Sequence, residues 1–342
     1  MDPAATSADL KALERELAQL LDGHARLVAA VREVFLGHDR AVDELFCALF
    51  AGGHVLLEGV PGLGKTTLVK ALASGLDLSF RRIQFTPDLM PGDILGARLL
   101  EEDAAGRKHF TFEKGPVFAN VVLADEINRA SPRTQSALLE AMAESRVTLY
   151  GETHELEQPF FLVATENPIE MEGTFPLPEA QLDRFLLKIV LERPSLGEIV
   201  QVLDATSSAA PKHVPRVLGH GEVERLRALV RRVPTSSDVL DLVARTVLAT
   251  HADADSPEDV KRYVRHGASP RGGQALLWTA KARALLQGRL HVAPEDLDAV
   301  CAPALRHRMI LGYEGEAAGV DTAQLSRSAL AHARSRAAAA KR

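Results

Sequence analysis

Residues 59–66, Gly-Val-Pro-Gly-Leu-Gly-Lys-Thr, constrain this chain more than any other stretch, because they fit the pattern G-x-x-x-x-G-K-[ST] between a strand-like run and a helix-like one. Glycines allow a backbone tight enough to wrap an anion, with successive N–H groups and the next helix N-terminus turned towards phosphate oxygens. In this pattern Lys65 reaches the β and γ phosphates and Thr66 holds Mg²⁺. The flanks agree: residues 54–58 (HVLLE) read as a buried strand, and Leu68, Val69, Leu72 and Leu76 recur at helical spacing. A nucleoside triphosphate is the expected ligand.

With 342 residues, 46% of them apolar, the chain has material for two domains and a sizeable core. A formal charge of −6 argues against a surface built as a whole to neutralise a nucleic-acid backbone. Cys47 and Cys301 stand far apart with no C-x-x-C spacing, so neither a disulfide framework nor a zinc site is expected and a reducing setting fits. The twelve histidines include no H-x₃-H or HExxH arrangement; a zinc or iron centre is not expected, and most of them are assigned to the solvated surface. The acidic, alanine-rich opening lacks a basic region followed by an apolar core, and no window approaches the roughly 20 apolar residues that span a bilayer. A cytoplasmic location is the expectation.

Residues 8–36 carry leucines and valines at helical spacing and read as two amphipathic helices broken near Gly23, with 1–24 an N-terminal extension. Strand candidates at 54–58, 80–85, 121–125, 160–165 and 186–191 alternate with helical patterns through 25–204, the mark of a doubly wound parallel sheet. Between the second and third, residues 90–116 hold strand-like stretches at 94–100 and 108–112, read as a β-hairpin inserted into a helix. A second hairpin is expected over 146–156, its arms separated by Gly151 and Glu152. Residues 205–221 turn to Ser, Ala, Pro, Gly and His, which reads as a solvated linker. Residues 222–319 then predict a small all-α domain of about four helices, and 320–342 a frayed helix or a disordered tail.

Residues 121–126 (VVLADE) form an apolar strand that ends in two carboxylates, and ligands bind at the carboxyl edge of a parallel sheet. Some 60 residues after Lys65, Asp125 is expected to position Mg²⁺ and Glu126 to orient and polarise the attacking water. Asn167 stands at the tip of the fourth strand, where it can bond the γ-phosphate or the water; an Asn before Pro168 is also an ordinary turn starter. Arg184, within a short helix expected over 179–185, is permanently charged and suits phosphoryl-transfer charge, or else pairs on the surface with Asp183 or Glu179. Arg271, in Ser269-Pro270-Arg271, opens a helix of the second domain and either couples that domain to nucleotide state or sits in a simple helix-start turn.

Taken in order, residues 59–66, 123–130 (LADEINRA), 164–168 (ATENP), 177–185 (LPEAQLDRF) and 269–271 (SPR) resemble the MoxR family of AAA+ ATPases, over about residues 25–315. The resemblance implies an α/β P-loop AAA+ core with a parallel five-stranded sheet in the order 5-1-4-3-2, and a small all-α lid. It further implies a ring, usually hexameric, with ATP at each subunit boundary. By the same resemblance, ATP is bound by Gly59, Pro61, Gly62, Leu63, Gly64, Lys65, Thr66 and Thr67, with Gly37 and His38 beside the adenine, and Mg²⁺ by Thr66 and Asp125. Lys65, Glu126 and Asn167 act within the subunit. Arg184 resembles the arginine finger offered to a neighbour, and Arg271 the second sensor, in cis or in trans. Both hairpins are implied to face the substrate side.

The function that follows is hydrolysis of ATP to ADP and phosphate, driving chaperone-like remodelling or maturation of protein complexes, with a von Willebrand factor A domain protein as partner. The alternatives are a nucleic-acid translocating motor and a slow nucleotide-gated binding platform. The first insert sets Arg98, Arg107 and Lys108 against Glu101, Glu102 and Asp103 without aromatic-basic interleaving, which disfavours the motor.

Overall fold

The computed structural model describes residues 7–102, 104, 106–169, 173–208 and 213–340. Two helices, α1 (Ser7–Val34) and α2 (Asp39–Ala51), precede the first strand, β1 (Val55–Glu58). α3 (Lys65–Gly75) crosses to β2 (Phe80–Gln84), and α4 (Pro91–Leu95) leads into a hairpin of β3 (Gly96–Glu102) and β4 (Lys108–Lys114). Then follow β5 (Val121–Asp125), α5 (Pro132–Glu144), a second hairpin of β6 (Arg146–Leu149) and β7 (Glu152–Glu155), β8 (Phe161–Glu166), the short α6 (Glu179–Leu182) and β9 (Leu187–Val190). The central sheet has the order β2-β5-β8-β1-β9, with every pairing parallel. Counting its five strands alone, this is the expected 5-1-4-3-2.

The period of two along each strand sorts the core. Val55, Leu57, Val121, Leu123, Phe161, Val163, Leu187 and Ile189 point into the cluster built with α1, α2 and α3. Leu56, Val122, Ala124, Leu162 and Ala164 point into the cluster built with α5. A strand covered on both faces must be apolar at consecutive positions, which is why these segments read as runs rather than as alternations.

Beyond the sheet, α7 (Leu196–Ser208) leads to a helical lid. Its elements are α8 (His220–Arg232), α9 (Ser237–Ala249), α10 (Glu258–Tyr263), β10 (Val264–His266), α11 (Pro270–Leu286), α12 (Pro294–Leu305), β11 (Ile310–Leu311), α13 (Tyr313–Ala317) and α14 (Thr322–Ala340). The lid is therefore not purely helical, since β10 and β11 pair as a small antiparallel ribbon.

Several expectations are corrected. α1 is continuous through Gly23, whose missing side chain matters for another reason: a Cβ there would lie 2.6 Å from Leu218 Cδ2. Glycine is kept in the helix for close approach, not to break it. The first hairpin adjoins a helix on one side only, because Gly96 (φ +107°) and Gly115 bring the two ends of the hairpin together; a Cβ on Gly115 would stand 2.2 Å from the Ile94 carbonyl oxygen. The second hairpin turns at Tyr150 and Gly151, with φ of 53° and 84°, and Glu152 already pairs with Leu149. Residues 205–208 belong to α7, and 213–219 are no solvated linker: Val214 and Leu218 are buried, and the Val217 and Leu218 N–H groups donate to Gly75 O at 2.9 and 3.1 Å. The tail is an ordered helix, α14, which touches α9 and α12 and buries Leu325, Ala329, Leu330 and Ala333. The residues at 209–212 and 341–342 within those two expectations lie outside the described residues.

The histidines depart from expectation too. His24 is buried edge-on against Phe46 and Phe50, and His54 Nδ1 accepts the Leu162 N–H at 3.0 Å. Burial, reinforced by Arg32 and Arg227 respectively, lowers both to about 4, from 6.5 for a free imidazole. An unfolded chain then binds more protons between those values, so stability held above pH 6.5 is lost as pH falls towards 4. We expect the denaturant midpoint to drop from pH 7 to pH 5, with each of these histidines contributing about 2 kcal/mol to the loss. His54→Asn retains the acceptor for Leu162 and removes the titration; the same denaturation series should then show a shallower pH dependence, and an unchanged slope would contradict this assignment.

Candidate nucleotide site

β1 delivers the chain to the phosphate-loop segment, whose shape depends on glycine. Gly62 and Gly64 take φ of 86° and 76°, and Gly64 is the N-cap of α3. The N–H groups in the first turn of α3 have no partner within the helix, the standard place for an anion. Lys65, the first residue of α3, reaches back so that Nζ donates to Gly59 O at 2.6 Å and to Glu166 O at 3.5 Å, tying the loop to the end of β8. Thr66 is half-buried, whereas Thr67, Pro61 and Gly62 are exposed.

The acids follow from β5. Asp125 Oδ1 accepts the Thr165 hydroxyl at 2.6 Å, and Oδ2 accepts Arg82 Nη2 at 2.6 Å and Nε at 3.0 Å. Glu126 leaves the strand in a left-handed conformation (φ 59°, ψ 51°), uncommon for a residue with a side chain, and its N–H donates to the same Thr165 Oγ1 at 2.8 Å. Its Oε2 accepts from Gln84 at 2.8 Å and from Arg129 at 3.0 Å. One threonine hydroxyl on β8 thus aligns Asp125, which ends β5, and Glu126 just beyond it.

Asn167 lies just past β8 and is 3% exposed. Its Oδ1 accepts the Ile169 N–H at 3.2 Å, so the turn-forming role is realised, while Nδ2 is buried with no hydrogen-bond partner among the described residues. Next to it, burial raises the Glu166 carboxyl pKa, with Glu58 acting in the same sense and Lys188 opposing.

Gly37 (φ 85°) and His38 connect α1 to α2 and line a cleft of about 320 Å³, together with Glu44, Arg193, Glu198 and Arg306. The His38 ring stacks on Phe35 at 5.5 Å, and the Phe35 ring in turn lies 3.2 Å from where a Cβ of Gly64 would be. Phe35 therefore joins the α1–α2 connection to the phosphate-loop segment. Among the described residues neither Arg184 nor Arg271 hydrogen-bonds to this cluster, and both are exposed. Arg184 Nη1 donates to Leu139 O on α5 at 3.2 Å; the surface pair with Asp183 is not made, because Asp183 binds Arg308 instead. Arg271 sits in the first turn of α11, its N–H bonded to the Ser269 hydroxyl.

Sequence reasoning overlooked Phe35, Arg82, Gln84, Arg129 and Thr165. A signal existed for two of them: Arg82 and Gln84 alternate with buried Ile83 and so share one face of β2. Only the pairing of Gln84 with Asp125 shows that this face borders the acids.

Comparison with known proteins agrees with this geometry. Residues 54–187 match the model of the ATPase family associated with various cellular activities (AAA), and residues 256–329 match the AAA lid domain. The protein named Chaperone MoxR1 of Mycobacterium tuberculosis is 42% identical over 290 residues, 84% of this chain and 76% of that protein. Protein MoxR of Methylorubrum extorquens is 32% identical over 328 residues, covering 85% and 88% of the two chains. The chain belongs to the MoxR family of AAA+ ATPases. A solved structure from Cytophaga hutchinsonii, 38% identical, superposes with a TM-score of 0.88 over 95% of this chain and 98% of its own. No helix among the described residues is long and apolar enough to cross a membrane.

Membership of the MoxR family brings nucleotide binding with a metal ion, and the residues present fit both. The glycine-capped N-terminus of α3 offers an anion the positive end of a helix, and the buried Asn167 amide offers a donor. Among the described residues no cluster of three or more His, Cys, Asp or Glu forms a resident metal cage. Thr66 and Asp125 carry hard oxygens of the kind that would suit Mg²⁺. Because Thr165 is fully buried, Thr165→Val would leave a carboxylate oxygen and the Glu126 N–H short of a partner. We expect a loss of about 1–3 kcal/mol in denaturant unfolding, with Thr165→Ser close to wild type. Equal stability of the Val and Ser variants would refute the role given to this hydroxyl.

Proposed function

We propose that this MoxR-family chain hydrolyses ATP to ADP and phosphate in a ring of identical subunits, most consistently a hexamer, with each site shared between neighbours. The carrying observation is the buried, unpartnered Nδ2 of Asn167 at the same sheet edge as Glu126 and the loop of Lys65. A donor held there in a dry setting suits the γ-phosphate or the attacking water. On this reading Gly59, Pro61, Gly62, Leu63, Gly64, Lys65, Thr66 and Thr67 hold the phosphates, and Gly37 and His38 border the adenine. Thr66 and Asp125 hold Mg²⁺, which neutralises phosphate charge when bound. Glu126, steadied by Gln84 and Arg129, orients the water and accepts its proton. Arg184 is exposed and, among the described residues, bonds through its side chain to Leu139 O rather than to this cluster, which supports service to a neighbour's nucleotide; Arg271 acts as the second sensor on the lid.

Hydrolysis then drives chaperone-like remodelling or maturation of protein complexes, with a von Willebrand factor A domain protein as partner. The relative from Mycobacterium tuberculosis carries the name chaperone, which supports this direction. The site is soluble-facing and the family setting cytoplasmic on this reading.

Glu126→Gln removes the base and preserves shape, so it should bind ATP with wild-type affinity while steady-state phosphate release falls by a factor of 10² or more, as for removal of a positioned proton acceptor. Substantial turnover by that variant would reject the role of Glu126. Mixing Arg184→Ala subunits with Lys65→Ala subunits should recover phosphate release that neither shows alone; with mixed assembly confirmed by mass, an inactive mixture would reject the shared site.

A further inference from the structure

One of the polar contacts between the lid and the sheet domain centres on an acidic residue. Asp183, directly before Arg184, divides its carboxylate between two lid residues: Oδ1 accepts from Arg308 Nε at 2.8 Å, and Oδ2 accepts from the Ser269 hydroxyl at 2.9 Å. Arg308 is 7% exposed. It turns its other nitrogens to the backbone oxygens of Asp183 at 3.0 Å, Phe185 at 2.6 Å and Leu186 at 3.1 Å, and to Ala304 at the end of α12. A planar guanidinium bonded to several oxygens of one short stretch fixes both the place and the orientation of that stretch. His307, the preceding residue, adds a bond of 3.1 Å to Phe185 O.

Ser269 is the N-cap of α11, and its hydroxyl accepts the Arg271 N–H at 3.1 Å while donating to Asp183. A path of adjoining bonds therefore runs from Arg184 through Asp183 and Ser269 to Arg271. The Asp183–Arg308 pair has side-chain exposures of 22% and 3%, unlike the surface pairs that contribute little. Arg184 itself is held only lightly in its own subunit, through Leu139 O, so its location is set mainly by the backbone at Asp183.

We propose that Asp183 and Arg308 form a clasp that positions Arg184, so that the lid of one subunit sets how its arginine reaches the neighbour's nucleotide. The clasp rests on the shared-site reading given above. Asp183 and Arg308 are positioning residues: neither touches the nucleotide, and their effect is felt in the adjacent subunit.

Full-length subunits in defined mixtures test this. The reference pairs Arg184→Ala subunits, which supply the nucleotide-binding half, with Lys65→Ala subunits, which supply the arginine. Adding Asp183→Asn to the Lys65→Ala subunit should lower the recovered kcat about tenfold or more, since small misplacements of a catalytic group are costly, with KM for ATP and ring mass unchanged. Adding Asp183→Asn to the Arg184→Ala subunit instead should leave the recovered rate near the reference. A purely structural role would lower both mixtures alike, and equal rates in the two placements overturn the proposal. Should Asp183→Asn subunits not assemble, Ser269→Ala carries the same comparison, with the same asymmetry expected. No recovery in the reference mixture itself overturns the shared site, and the clasp with it.

Discussion

The placement of β8 between β1 and β5 is the constraint on which the whole site depends. Its register sets Glu166 beside Glu58 and Ala164 beside Ala124, so three strand ends converge at one carboxyl edge. From there a single hydroxyl, Thr165, orders Asp125 and Glu126, while the Glu166 carbonyl receives both the Gly59 N–H and Lys65 Nζ. A slip of one residue would turn Thr165 to the opposite face and carry Asn167 with it. Both faces of β8 are covered by apolar clusters, which makes such a slip expensive and the register firm.

The same packing carries the lid. α2 is buried along most of its length, from Ala41 to Ala51, and touches β9 on one side and α8 and α11 on the other. The cluster that begins on the sheet at Val55 and Leu57 continues without a break to Leu276, Val300 and Leu305 of the lid. A lid joined by its core does not swing freely. Beside that shared core, Arg308 bonds the lid to the segment around Asp183.

Legibility varied with the kind of residue. The loop from Gly59 to Thr66 was readable because chemistry demands fixed spacing there, and the five strands because burial on both faces leaves apolar runs. Thr165 was not readable: a threonine inside an apolar strand looks like ordinary strand composition until its partners are known. Arg82 showed only its alternation with buried Ile83, and an arginine on an edge strand reads as solvated, whereas here it pairs with Asp125. The packing of α14, legible in sequence as a frayed helix or a disordered tail, was hidden for the opposite reason. Its contact stripe relies on alanines 329 and 333, which have little apolar side chain to announce a buried face yet let neighbouring helices approach closely.

Local rules therefore determined what the sequence could announce by itself: a phosphate-binding loop, strands and helices of given type, two hairpins, and acids at strand ends. Each depends on residues near one another in the chain, through backbone freedom at glycine, burial periodicity or turn chemistry. Tertiary structure alone decided which strand ends meet, that Gly23 serves close packing against Leu218, and that Asp183 faces Arg308, 125 positions away, rather than the arginine beside it. Those outcomes arise from sheet order and from burial of charge, and both are settled only when distant segments compete for the same partner.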